Sequence, residues 1–104
     1  MLETPNMANQ NGWTPLHLAA NKGHKDVVQQ LLDRGAEANM AAQDGRTPLH
    51  AAAYKGHKDV VQHLLDRGTE PNMADILGRT PLTLALKYGY MDIANILTEN
   101  GGTV

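Results

Sequence analysis

Thr14-Pro15-Leu16-His17-Leu18-Ala19-Ala20, followed by Gly23-His24-Lys25-Asp26-Val27-Val28-Gln29, carries the start and stop signals of two successive short helices. Thr14 precedes an apolar helical pattern, where its hydroxyl can accept from a free backbone N–H. Pro15 stands at the first helical position, where a missing N–H costs nothing. A short helix to about Lys22 is predicted, with Leu16, Leu18, Ala19 and Ala20 facing inward. Gly23 supplies the left-handed residue that ends it. A second helix begins near Lys25 and Asp26, and Val27, Val28, Leu31 and Leu32 make one apolar stripe along it. Gly35 ends that helix in the same way.

Beyond this stretch the same residues return at a spacing of 33. Thr14-Pro15-Leu16 recurs as Thr47-Pro48-Leu49 and Thr80-Pro81-Leu82, and Gly12 as Gly45 and Gly78. Gly23 to Gln29 is repeated without change from Gly56 to Gln62. Such a period belongs to stacked architectures, in which each unit leaves an apolar face that only a neighbour covers. Between helix pairs the pattern is extended and turn-rich, with Asp44-Gly45 marking a tight turn at a hairpin tip. Pro5-Asn6-Met7-Ala8 matches Ala38-Asn39-Met40-Ala41 and Pro71-Asn72-Met73-Ala74. The expected organisation is therefore residues 1–8 as the tail of a preceding hairpin, then units 9–41, 42–74 and 75–104, the last a C-terminal cap. That phase fits the C-terminal piece of a longer array or a chain cut to three units.

These residues resemble the ankyrin repeat family, whose T-P-L-H-x-A-A, G-H and V-V-x-x-L-L-x-x-G-A segments stand here from Thr14 to Ala36 and again from Thr47 to Gly68. The resemblance covers roughly residues 5 to 102. It implies an all-α repeat solenoid of helix-turn-helix units linked by β-hairpin loops, and a module that binds other proteins without catalysis. It also implies that His17 and His50 bridge the capping Thr and neighbouring loop backbone. In the third unit Thr83 and Tyr90 replace the two His, and Asp92 to Leu97 departs from the Val-Val helix. That helix looks similar to capping repeats, with Thr98, Glu99 and Asn100 meeting water; a terminal repeat needs a wettable outer face. The first unit shows no such cap, so the region of Leu16, Val28 and Leu31 is expected to be partly bare, with self-association or low stability at that end. Gln30 and His63 stand where the family usually has an apolar residue and are expected to weaken packing between units.

Composition narrows the chemistry. The apolar fraction is 41% with no Phe and one Trp, which suits closely packed small-residue helices. A net charge of −2 predicts no general attraction to nucleic acid or anionic membrane. No Cys is present, so disulfides and thiolate metal sites are excluded. The chain has neither a signal-peptide run nor a long apolar segment, and a soluble cytoplasmic or nuclear domain is expected. Serine is absent as well as cysteine, and no Gly-rich phosphate loop follows a strand. Asp26, Asp59 and Asp92 recur at the starts of second helices, where a carboxylate favours the helix dipole. The five His lack the i, i+4 spacing that sets two ligands on one helix face. No enzyme activity, cofactor or metal is expected. Lys22, Lys25, Lys55 and Lys58 raise nucleic-acid binding, but Asp26, Asp33, Asp59 and Asp66 interleave with them, and a solvated mixed face is the better reading.

Evidence for binding lies where the units disagree. In ankyrin proteins the hairpin tips and first helices form the concave contact face. The resemblance places Trp13, Asn21, Asp44, Arg46, Tyr54, Lys55, Ile76, Leu77, Arg79 and Tyr88 there. Trp, Tyr and Arg are the types that most often anchor interfaces. The alternative is that Trp13 and Tyr54 cover hairpin backbone and that Ile76 and Leu77 pack on the capping helix. Met7, Met40 and Met73 recur at one hairpin position and read as hairpin packing. The expected function is rigid display of this surface to a protein partner. Near-identical, Cys-free repeats with aromatics at variable positions also fit an ankyrin binder engineered against a chosen target, while Gln30, His63 and Pro71 favour a natural template.

Overall fold

Each Thr-Pro pair starts a helix for the reason its chemistry dictates. The computed structural model describes residues 5–104. Its helices are α1 (Pro15–Lys22), α2 (Lys25–Asp33), α3 (Pro48–Lys55), α4 (Lys58–Asp66), α5 (Pro81–Lys87) and α6 (Met91–Glu99). The hydroxyls of Thr14, Thr47 and Thr80 accept from the backbone N–H three residues on, and the side chain at that third position accepts from the Thr N–H in return. Two orphan donors are thereby satisfied at each start. Gly23, at φ 74, closes α1, with His24 N–H donating to Ala19 C=O and Gly23 N–H to Ala20 C=O. That is the paired capping pattern a left-handed residue permits.

The helices form a two-layer stack with extents of 43 × 26 × 20 Å. First helices α1, α3 and α5 lie side by side in one layer, and α2, α4 and α6 form the other. Neighbouring first helices pack more intimately than neighbouring second helices. The cause is side-chain size. Ala20, Ala51, Ala52, Ala53 and Ala85 are buried between first helices, whereas Val60, Val61, Leu64 and Leu65 separate the second ones. The stack therefore curves toward its first-helix side. Gly23 and Gly56 pass under the His57 and Tyr90 rings of the next unit, where an added Cβ would come within 2.6 Å of ring atoms. The His57 Nε2–H donates to the Asn21 carbonyl at 2.8 Å.

Two expectations are corrected at the N-terminal face. Leu18 does not face inward: it is 45% exposed, as Val27 is 43% exposed, while Leu16 and Val28 are fully buried. In the second unit the matching Ala51 and Val60 are buried against the first unit. Positions 18 and 27 thus lie on the side toward a preceding unit, whereas 16 and 28 lie within their own helix pair, since the matching Leu82 and Ala94 of the last unit are buried as well. Gln30 is exposed, and His63, its counterpart, buries an Nε2 that has no partner among the described residues.

The expected β-hairpins reduce to tight turns, with no strand among the described residues. Each tip is closed by two backbone bonds at 2.8 to 2.9 Å: Asn9, Ala42 and Asp75 N–H donate to the Trp13, Arg46 and Arg79 carbonyls, and Gly12, Gly45 and Gly78 N–H donate back to the Asn9, Ala42 and Asp75 carbonyls. A ladder would need successive pairs along the arms. The arms instead bond sideways. Asn6, Asn39 and Asn72 side chains accept from the backbone N–H of Glu37, Glu70 and Thr103. Residues 1–4 of the expected N-terminal tail lie outside the described residues.

Candidate functional site

The turn tips stand above the first helices and are stitched to one another. Gln43 N–H donates to Asn11 C=O at 3.0 Å, and Ile76 N–H to Asp44 C=O at 2.9 Å. At Gly45, with φ 81, an added Cβ would sit 2.9 Å from the Asp75 Cα, so only glycine lets the tips approach this closely. Beneath them, the buried His17 and His50 rings make the second tie. Each Nδ1 accepts from a capping Thr N–H, so Nε2 carries the hydrogen and donates to a tip carbonyl: His17 to Arg46 at 2.9 Å and His50 to Arg79 at 2.8 Å. In α5 Thr83 keeps the capping half of this device but does not reach a further unit. The hydroxyl of Thr80 donates instead to the Thr103 carbonyl of the C-terminal tail.

Burial holds both imidazoles below the ordinary 6.5, against an opposing pull from the tip carbonyls and nearby carboxylates. The neutral form is the one the fold accommodates, because a proton on Nδ1 would meet the Thr N–H. The unfolded chain takes up protons as pH falls through 6.5 while the folded one resists. Stability is thus expected to be full above that value and to decline below it, down to the folded-state pKa. Urea midpoints at neutral and mildly acidic pH would check this. A midpoint unchanged between them in a chain carrying both His, or equally shifted in the His17→Thr/His50→Thr variant, would defeat the assignment.

Asp75, which sequence reasoning passed over, organises the third tip. Its side chain is 1% exposed, yet its Oδ1 accepts from the Leu77 and Arg79 N–H at 2.9 Å. Its Oδ2 faces Arg79 Nε at 3.0 Å and Arg46 Nε at 3.4 Å. Burial alone would raise its carboxyl, but these backbone and guanidinium donors hold it below the usual 3.8. The only sequence signal was Asn9, two units earlier in register, whose Oδ1 accepts from Asn11 and Trp13 N–H. Ala42 interrupts that pattern in the second unit, where Asp44 accepts from Arg46 N–H instead.

Of the expected contact residues, the structure brings Arg46, Tyr54, Lys55, Arg79 and Tyr88 into one cluster. Tyr54 and Tyr88 meet edge to face with centroids 5.0 Å apart. The Arg46 guanidinium lies 5.2 Å and the Lys55 ammonium 5.6 Å from the Tyr54 ring centre. Ile76 and Leu77 project beside this cluster at 72% and 71% exposure, and so do not pack on α6. Trp13 stands apart at the first tip, its ring centre 5.4 Å from that of His17. Asn21 is half-buried and engaged through its carbonyl with His57. Among the described residues no helix is long and apolar enough to cross a membrane.

A stack of capped helix pairs tied tip to tip defines a helical repeat protein. The profile of the family described as "Ankyrin repeats (3 copies)" matches residues 1–75 and 43–104, and the chain belongs to the ankyrin repeat family. Members of this family are generally protein–protein interaction modules and are typically not enzymes. The chain is similar to "Ankyrin repeat-containing protein P1E11.10" of Schizosaccharomyces pombe, with 44% identity over 34 residues covering 33% of this chain and 16% of that protein. It is also similar to "Oxysterol-binding protein-related protein 1" of Homo sapiens and of Rattus norvegicus. Each of these is 69% identical over 26 residues, which make up 25% of this chain and 3% of the relative. The chain thus spans a small fraction of the length of these curated relatives.

Proposed function

We propose that this chain binds another protein through the surface made by its turn tips and first helices, with units 9–41, 42–74 and 75–104 displaying Trp13, Arg46, Tyr54, Ile76, Leu77, Arg79 and Tyr88. The observation that carries the reading is the pair Ile76-Leu77, exposed yet held in a turn whose backbone is pinned by buried Asp75. Exposed apolar side chains on a rigid turn, flanked by Tyr and Arg, are what an interface core uses. Little freedom remains to be lost on association, which favours affinity from few contacts. Affinity capture should recover a partner that survives Gln29→Ala/Gln62→Ala on the opposite side. The same partner should be lost with Ile76→Ser/Leu77→Ser and weakened by more than about 2 kcal/mol with Trp13→Ala/Tyr54→Ala. Unchanged affinity for both of these double variants would reject the surface.

A second reading concerns the bare Leu18 and Val27. We infer that another copy of the chain covers this face at high concentration, because the matching side chains of the second unit are buried by a neighbouring unit. Sedimentation equilibrium should show a mass that rises with concentration, and that rise should vanish in Leu18→Gln/Val27→Gln. A concentration-independent mass for the unaltered chain would refute it.

A further inference from the structure

The geometry points to an acidic peptide segment carrying apolar side chains as the occupant of the first-helix side, an inference that rests on the surface proposed above. The helix layers separate charges that the sequence interleaves. The tips and first helices carry five cations, Lys22, Arg46, Lys55, Arg79 and Lys87, against two carboxylates, Asp44 and Asp75. The second helices and the segments after them carry the other four cations, Lys25, Arg34, Lys58 and Arg67, against eight carboxylates among the described residues. A chain of net charge −2 thus presents a positive inner side and a negative outer one. Long-range fields of this kind steer a partner of opposite sign to the matching face.

The inner cations are also free to act. On the outer side Arg67 pairs with Asp33 at 2.9 Å and Lys58 approaches Asp92 at 3.9 Å. Lys22, Lys55 and Lys87 make no ion pair among the described residues. Arg46 and Arg79 spend only Nε on the shared Asp75 oxygen. Their terminal nitrogens donate to no side chain or backbone group among the described residues, and the guanidinium fork matches a carboxylate. A peptide is favoured over nucleic acid by two features. Ile76 and Leu77 offer apolar contact beside the cations, which a phosphate backbone does not use. The Tyr faces that could stack on bases already carry Arg46, Lys55 and Lys87.

Selection of a displayed library of random dodecapeptides against the full chain tests this. Enriched sequences should combine Asp or Glu with apolar residues and bind more weakly as salt is raised. They should lose about tenfold in affinity to Lys22→Gln/Lys55→Gln/Lys87→Gln, three exposed replacements that leave buried Asp75 paired. They should also lose binding to Ile76→Ser/Leu77→Ser. Neutral or basic sequences that depend on Ile76 and Leu77 alone would overturn the acidic partner and leave the surface standing. Sequences indifferent to both variants would overturn both. Absence of enrichment, or tighter binding of a labelled single-stranded oligothymidylate than of any selected peptide, would equally overturn the acidic peptide.

Discussion

His50→Ala is expected to destabilise the chain by about 3–4 kcal/mol, a large part of the roughly 5–15 kcal/mol typical of a domain. The ring is fully buried and holds three groups at once: the Thr47 N–H, the Thr47 hydroxyl and the Arg79 carbonyl. Alanine leaves a cavity, strands the Thr47 N–H away from water and leaves the Arg79 carbonyl with only its bond from Asp75 N–H. His50→Thr is the informative companion, because Thr83 shows that Thr completes the capping box without reaching the next tip. It should lose about 1–2 kcal/mol, the share of the inter-unit bond and the smaller volume. Urea unfolding followed by circular dichroism gives both values. A Thr variant as stable as the unaltered chain would mean that the tie to Arg79 contributes nothing.

Asp75→Ala carries the second large effect, about 2–4 kcal/mol, because four donors lose one buried carboxylate. The two backbone N–H groups would be released at the tip that presents Ile76 and Leu77, and two guanidinium groups would be left facing each other. Asp75→Asn retains an oxygen for Leu77 and Arg79 but removes the charge that both Arg share, and about half the loss is expected. Hydrogen exchange separates the parts. Leu77 and Arg79 amides should lose protection in the Ala variant and keep most of it in the Asn variant. Equal protection in all three chains would show that the turn holds without the carboxylate. Because Asp75 is held below its usual pKa, its stabilisation is present above 3.8 and fades as pH falls below that value.

What could be read from the sequence differs between these two residues. His50 belongs to a pattern that repeats at its own spacing, so the resemblance implied its bridging role and the structure supplied the acceptor. Asp75 has a partner in register at Asn9, but Ala42 stands between them and hides the period. The Lys residues show the same limit. Lys22 and Lys25 are neighbours in sequence, as are Lys55 and Lys58, and their mixture with Asp read as one solvated face. The turn at Gly23 and at Gly56 sends the members of each pair to opposite layers. Leu18 was misplaced because an apolar residue in a helical stripe names a face of the helix but not whether a neighbour covers it.

The helix pairs, their caps, their register and hence the family were legible in the order of residues. Each of these follows from chemistry within a few residues, repeated three times: a Thr hydroxyl over a free N–H, a Pro where no donor is needed, a Gly where the chain must turn left. Packing of unit on unit settled which apolar side chains were covered and which carboxylate gathered two Arg. It also decided that five cations shared one side. Those facts depend on which unit stacks on which and on the layer each helix joins, and both are contacts between residues about one repeat apart.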